Sequence, residues 1–130
     1  MILDVITDDP CWGDASEAAL KQALAKGALV IGECVLAEIT PVLGEAQLEE
    51  FLKDWRIQFV PSSRKSAIAA GGMFENYLRR GGTQKRVLPD FLIGAHAVEN
   101  AGCLMARDRG YFRDYFKDLQ VTDPGAKDFA

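Results

Sequence analysis

Hydrophobic and polar positions follow two kinds of pattern along the chain. Short apolar runs at 28–32 (ALVIG), 57–60 (IQFV) and 103–106 (CLMA) have the length of single buried strands. The longer stretches between them place apolar residues at helical spacing. Strands that alternate with helices favour βαβ units and a mainly parallel sheet. The pattern therefore predicts an α/β fold.

The predicted helices surround these runs. They cover 16–26, the stripe 34–43, 47–55, 62–80 and 88–100. Pro41 lies inside the second of them, where it should kink or break the helix because proline lacks an N–H and clashes with the preceding turn. The remaining expectations are a flexible basic loop at 79–86, a short helical or irregular segment at 111–119, an edge strand at 120–122 and a frayed tail at 124–130.

Length and charge limit the class of protein. A chain of 130 residues, 48% of them hydrophobic, fits a single domain over 1–130 with a real core. A net charge of −4 argues against a protein that coats nucleic acid by bulk attraction. It does not exclude an enzyme that binds RNA through a local basic rim around a metal site. No run reaches the roughly 18 apolar residues of a membrane span. Acidic residues follow the first methionine too soon for a signal peptide. We expect a soluble, cytoplasmic protein.

The cysteines and the histidine favour structural roles. There are three cysteines and one histidine with no CxxC pair, which argues against a zinc finger. Cys34 and Cys103 lie in apolar stretches, so we expect small buried core residues. His96 lies inside the apolar helix 88–100 and is expected in the core, which makes Ser-His-Asp chemistry improbable.

Three acids are candidates for catalysis. Glu38 borders the apolar stripe of a helix, Asp90 opens the most hydrophobic helix, and Asp108 follows the run CLMA. Sites in parallel sheets form at the carboxyl ends of strands, so the three can approach one another there. Clustered carboxylates suit Mg²⁺ or Mn²⁺. Other roles stay open: Asp90 as a helix cap, Asp108 as an ordinary loop residue and Glu38 as a solvent-facing one.

Two local strings resemble the PIN-domain toxins of the VapC type. They are LPDFLIGAHA (88–97) and ARDRGYFRDYFKDL (106–119), with VLAEI (35–39) as a third match, and the resemblance covers nearly the whole chain. It implies a PIN-like three-layer α/β/α fold. It also implies that Glu38, Asp90 and Asp108 bind Mg²⁺ (or Mn²⁺) and that metal-activated water hydrolyses RNA. The chain would then be an endoribonuclease toxin of a type II toxin–antitoxin pair, with a cognate antitoxin and a homodimer partner.

The sequence departs from the family pattern in two places. Ala106 stands where the family usually has a hydroxyl residue before Arg107-Asp108, so the hydrogen bond that such a hydroxyl could make to a metal-binding residue is lost. The family's first strand and its terminal Asp have no counterpart, since Asp4 matches a later, helix-borne acid. We expect the missing strand to be encoded upstream of Met1. A native protein with a mass of 14.3 kDa would rule out that expectation.

Several cations are candidate RNA contacts. Arg107 and Arg109 flank Asp108 and are the first choices. The loop cations either contact RNA phosphates or form a solvated face; they are Arg79, Arg80, Lys85 and Arg86.

Two other functions compete with the ribonuclease. The first is a catalytically impaired module that binds an antitoxin or dimer partner without cleaving RNA. Its contact residues, or else ordinary core residues, would be Trp12, Trp55, Phe74 and Tyr77. The second is a receiver-type or other phosphoryl-transfer domain, which would open with a strand and an acidic pair. Asp8-Asp9 imitates that pair, but Pro10 and the lack of a suitably placed lysine argue against it.

Overall fold

The computed structural model describes residues 13–84, 87–106, 115–117 and 119–122, together with residues 2, 5, 10, 11 and 112. Helices and strands alternate up to residue 59, and two further helices and then two further strands follow. In chain order they are α1 (Gly13–Lys26), β1 (Leu29–Ile31), α2 (Glu33–Asp54), β2 (Ile57–Phe59), α3 (Arg64–Arg79), α4 (Leu88–Asn100), β3 (Cys103–Met105) and β4 (Gln120–Thr122).

The described residues form two compact units, and neither is one continuous stretch of chain. The first contains the described residues up to Val60 with Met105, Ala106 and Thr122. The second contains residues 61–104 and the described residues from 112 to 121. The expectation of a single domain over 1–130 stays a prediction.

The first unit is built on a parallel strand pair. β1 and β2 pair with Leu29 opposite Ile57, and the Val60 N–H donates to the Ile31 carbonyl at 3.0 Å. Four buried side chains from these strands and from α2 form a hydrophobic core: Ile31, Ile39, Leu48 and Ile57. This unit therefore contains a βαβ arrangement with parallel strands, as the alternation of strands and helices predicted.

Helix α2 changes direction at a glycine. The expected break at Pro41 is wrong, because helical geometry continues past Pro41 and ends at Gly44, with φ 77° and ψ 160°. Proline has a helical φ and removes only one hydrogen bond, whereas Gly44 lies in a region that other residues rarely adopt. The two predicted helices 34–43 and 47–55 are thus the two halves of α2.

In the second unit, α3 and α4 pack against each other in opposite directions. At one end the Ser63 hydroxyl donates to Glu99 at 2.6 Å and also accepts from the Ser66 N–H, which caps α3. At the other end Tyr77 contacts Phe91, with ring centroids 6.0 Å apart. Small residues between these ends, Ala70 and Ala95, are buried and let the helices approach.

The end of α3 is an ordered turn. The Gly81 N–H donates to the Leu78 carbonyl and the Gly82 N–H to the Tyr77 carbonyl, with Gly81 at φ 90°. This pair of bonds with a left-handed glycine is a Schellman motif. The Gln84 N–H then donates to the Tyr77 hydroxyl at 3.2 Å. The described part of the predicted flexible loop 79–86 is therefore tied to its own helix.

β3 and β4 form the second strand pair. The Gln120 N–H donates to the Gly102 carbonyl and the Ala106 N–H to the Thr122 carbonyl. Donors and acceptors advance together along both strands, which is the order of a parallel pair. The predicted strands at 103–106 and 120–122 are both observed, the first one residue shorter.

The cysteine prediction is wrong in part. Cys103 is exposed and Cys34 is only half-buried. Cys103 is the first residue of β3 directly after the Gly102 turn, so it lies at the end of the strand rather than inside it. An apolar neighbourhood in sequence does not ensure burial at a strand end.

Residues 111, 113, 114 and 118 of the predicted 111–119 segment and all of the 124–130 tail lie outside the described residues. Among the helices that are described, none is long and apolar enough to cross a membrane.

Candidate functional site

Asp90 lies in the first turn of α4. It is half-buried, and the helix begins with Leu88 and Pro89 after Val87. Proline is favoured at the start of a helix, because the first N–H groups have no helical partner. A carboxylate in this turn lies near the positive end of the helix dipole. This position suits helix stabilisation and also suits an acid that binds a cation.

The next residue anchors Asp90. Phe91 is 0% exposed and lies 5.0 Å from the Tyr115 ring in an edge-to-face arrangement. Its ring also contacts those of Phe74, Tyr77 and Phe116. This aromatic cluster therefore fixes the backbone from which the Asp90 carboxylate projects. His96, further along α4, is buried as predicted, with 7% exposed.

Glu38 lies in the first half of α2. Its side chain is exposed, beside Ile39, which is 1% exposed and part of the first core. The residue thus belongs to the polar edge of the apolar stripe, as the sequence predicted. Exposure fits the solvent-facing role and equally fits a ligand at an open metal site.

The rest of the predicted acidic and basic site lies outside the described residues. This holds for Asp108, Arg107 and Arg109. Glu38 belongs to the first unit and Asp90 to the second. Within the described part of the chain, no group of three or more His, Cys, Asp and Glu side chains is placed to hold a metal ion. The predicted trio stays a prediction, because Asp108 is one of its members.

The loop cations differ in their surroundings. Arg79 donates to Glu75 at 2.6 Å, one helical turn earlier. The Arg80 guanidinium lies 5.1 Å from the centre of the Tyr115 ring. Lys85 and Arg86 lie outside the described residues. The Arg80–Tyr115 contact was not predicted, because the two residues are far apart in sequence and follow no motif.

The aromatic candidates for partner contacts take part in packing. Trp55 is half-buried against the core of the first unit and lies 6.2 Å from Phe51, ring to ring. Phe74 and Tyr77 belong to the cluster around Phe91. These three are half-buried and pack against neighbouring side chains, while Trp12 lies outside the described residues.

Comparison with solved structures finds a likeness over nearly the whole chain. The chain matches no family model and no curated protein. It is similar to a chain in the crystal structure of VapBC2 from Rickettsia felis bound to a DNA fragment from their promoter. The TM-score is 0.70 at 22% identity, over 93% of this chain and 91% of that one. The likeness confirms the predicted α/β, PIN-like fold, and this chain has the fold of a VapBC2 chain.

Proposed function

We propose that this chain is a Mg²⁺-dependent endoribonuclease and the toxin of a type II toxin–antitoxin pair. The observation that carries the proposal is the fold shared with a VapBC2 chain over nearly the full length of both. A fold alone hosts many functions, so the proposal also needs the site residues. Those are the strings around Glu38, Asp90 and Asp108, which resemble the VapC type.

The donor chemistry of the site fits a divalent cation. Glu38, Asp90 and Asp108 offer carboxylate oxygens, which are the ligands that Mg²⁺ and Mn²⁺ prefer. When bound, such an ion activates water and stabilises the charge that develops in phosphodiester hydrolysis. The backbone that carries the Asp90 carboxylate is held in place by the adjoining Phe91 ring, which is 0% exposed.

Other residues serve RNA and protein partners. Arg107 and Arg109, next to Asp108, contact the phosphates of the RNA. The similar chain comes from a VapBC2 structure bound to promoter DNA. By analogy with that structure and with VapC-type toxins, we propose an antitoxin partner for this chain. A homodimer and action in the cytoplasm complete the proposal.

An RNA cleavage assay tests the activity. We expect the full chain to cleave labelled RNA in Mg²⁺ and to stop when EDTA is added. Asp90→Asn removes one anionic ligand at nearly constant shape and should lower the cleavage rate by about a hundredfold or more. Asp54→Asn makes the same chemical change at an exposed position at the end of α2 and should cleave like the parent.

Two results would redirect the proposal. If Asp90→Asn cleaves RNA as fast as Asp54→Asn, Asp90 has no part in catalysis and the mechanism is wrong. If the parent chain does not cleave RNA but forms a stable complex with the protein encoded beside it, the non-enzymatic antitoxin-binding module is favoured instead.

A further inference from the structure

Arg80 occupies a defined position at the end of α3. It is the C-cap residue, and the Schellman turn through Gly81 and Gly82 follows it directly. The Tyr77 hydroxyl accepts the Gln84 N–H, so the turn is fastened to the helix on its far side as well. The backbone that carries Arg80 is therefore held on both sides of the turn.

The two neighbouring arginines at this end are not equivalent. Arg79 pairs with the Glu75 carboxylate at 2.6 Å, so its charge is offset within the helix. Arg80 is exposed and takes part in no ion pair with a described carboxylate. Its guanidinium lies over the Tyr115 ring, which orients the side chain without neutralising it. A guanidinium held over a ring keeps N–H donors available for a phosphate.

A short series of contacts links Arg80 to the start of α4. The Arg80 guanidinium lies 5.1 Å from the Tyr115 ring centre, and that ring lies 5.0 Å from the Phe91 ring. Phe91 directly follows Asp90 in the first turn of α4. All of these residues belong to the second unit. The Tyr115 ring thus links the Arg80 guanidinium to Phe91, the residue next to the proposed catalytic Asp90.

We propose that Arg80, oriented by Tyr115, binds a backbone phosphate of RNA close to the start of α4. This inference rests on the proposed ribonuclease function, because RNA is its substrate. The stretch 79–86 contributes four cations to a chain whose net charge is −4, so it forms a local basic region. Of the two arginines of that region that the structure describes, Arg80 is the one whose charge is oriented by a ring and not offset by a described carboxylate. The contact is to phosphate, so it is independent of base sequence.

RNA binding without cleavage tests this assignment. Fluorescence anisotropy would follow a labelled single-stranded RNA of about 20 nucleotides, long enough to cover such a site, titrated with the full chain in EDTA. Arg80→Gln should weaken binding about tenfold, since it removes one charge-assisted hydrogen bond. It should also reduce the slope of log affinity against log salt by about 0.7, the value for one phosphate of a single strand.

Arg79→Gln is the matched control. It removes the same charge one residue earlier, and we expect less than a twofold change in affinity, because Arg79 already pairs with Glu75. Equal losses in the two variants would mean that only net charge matters, which would overturn the proposal. Unchanged affinity of Arg80→Gln, or no RNA binding by the parent chain, would overturn it as well.

Tyr115 variants test the orienting contact. Tyr115→Phe keeps the ring under Arg80 and should bind RNA like the parent, whereas Tyr115→Leu should lose part of the affinity that Arg80→Gln loses. Circular dichroism would show that each variant is folded. If a folded Tyr115→Leu variant binds RNA as tightly as the parent, Tyr115 does not orient Arg80 for RNA. A parent chain that binds RNA through Arg80 but does not cleave it in Mg²⁺ would refute the proposed activity while leaving this contact in place.

Discussion

Gly94 shows how closely one residue can be constrained by its neighbours. A Cβ atom at this position would lie 2.5 Å from Cε2 of Phe116, closer than real Cβ contacts come. Phe116 is itself buried, with 6% exposed, and packs against Phe91 and Phe112. It has little room to move away, so the absence of a side chain at Gly94 is a requirement of the aromatic cluster.

Gly94→Ala should therefore destabilise the protein, even though alanine is the better helix former. We expect the free energy of unfolding to fall by about 1–3 kcal/mol, as for other overpacked sites. Chemical denaturation followed by circular dichroism measures the change.

Gly71→Ala is the control, because it makes the same substitution inside α3 with nothing within 4 Å of the new atom. Helix propensity alone should raise its stability by about 0.5–1 kcal/mol. Stabilisation by Gly94→Ala as well would mean that Phe116 yields easily and that the cluster is loosely packed.

Residue types predicted some environments and missed others. The sequence placed His96 in the core, because its helix is apolar on both sides of it, and this is confirmed. Cys103 was expected to be buried for the same reason and is exposed, because its position at the strand end outweighs its apolar neighbours. Arg79 and Arg80 were indistinguishable in sequence, and only the three-dimensional contacts with Glu75 and Tyr115 separate them.

At the scale of elements, the sequence predicted which helices and strands exist better than it predicted where a helix bends. The helix 88–100 was predicted, from its nearly all-apolar sequence, with the bounds that α4 has. The short strands were also found, since apolar runs bounded by turn residues have few alternatives. The bend in α2 was attributed to Pro41 because the φ of Gly44 cannot be read from sequence.

Gly44→Ala tests what causes the bend in α2. Nothing lies within 4 Å of a Cβ at this position, so any effect comes from the backbone at φ 77° and ψ 160°. A residue other than glycine held in this region lowers the free energy of unfolding of the protein by about 1–3 kcal/mol. We expect a loss of that size in thermal or chemical unfolding.

Pro41→Ala is the companion variant in the same helix. Pro41 is exposed and within helical geometry, so alanine there restores a helix former and should not destabilise the protein. If Pro41→Ala lowers the free energy of unfolding more than Gly44→Ala does, the proline and not the glycine causes the bend.

At the scale of the whole molecule, the division into two units bears on cooperativity. Each unit combines segments that are distant in sequence, so neither can be cut out as one stretch of chain. We therefore expect a single unfolding transition, with equal calorimetric and van't Hoff enthalpies in differential scanning calorimetry. Two resolved transitions would contradict the prediction of one domain over 1–130.

The predicted site could be followed only in part. Asp90 is held by Phe91 in the first turn of α4, and Glu38 is exposed on α2, as their positions in the apolar pattern indicate. A site assembled from distant segments depends on the path of the chain between them, which periodicity does not specify. The resemblance to VapC-type toxins supplied the grouping with Asp108, and that grouping stays a prediction, because Asp108 lies outside the described residues.

Calorimetric titration of Mn²⁺ into the full chain tests the central claim most directly, because it measures whether the three acids share one cation. The parent should bind Mn²⁺, and Glu38→Gln, Asp90→Asn and Asp108→Asn should each weaken that binding about tenfold or more. Glu49→Gln, exposed on the same helix as Glu38, should bind like the parent. Parental Mn²⁺ affinity in all three site variants, or no binding by the parent, would contradict the account.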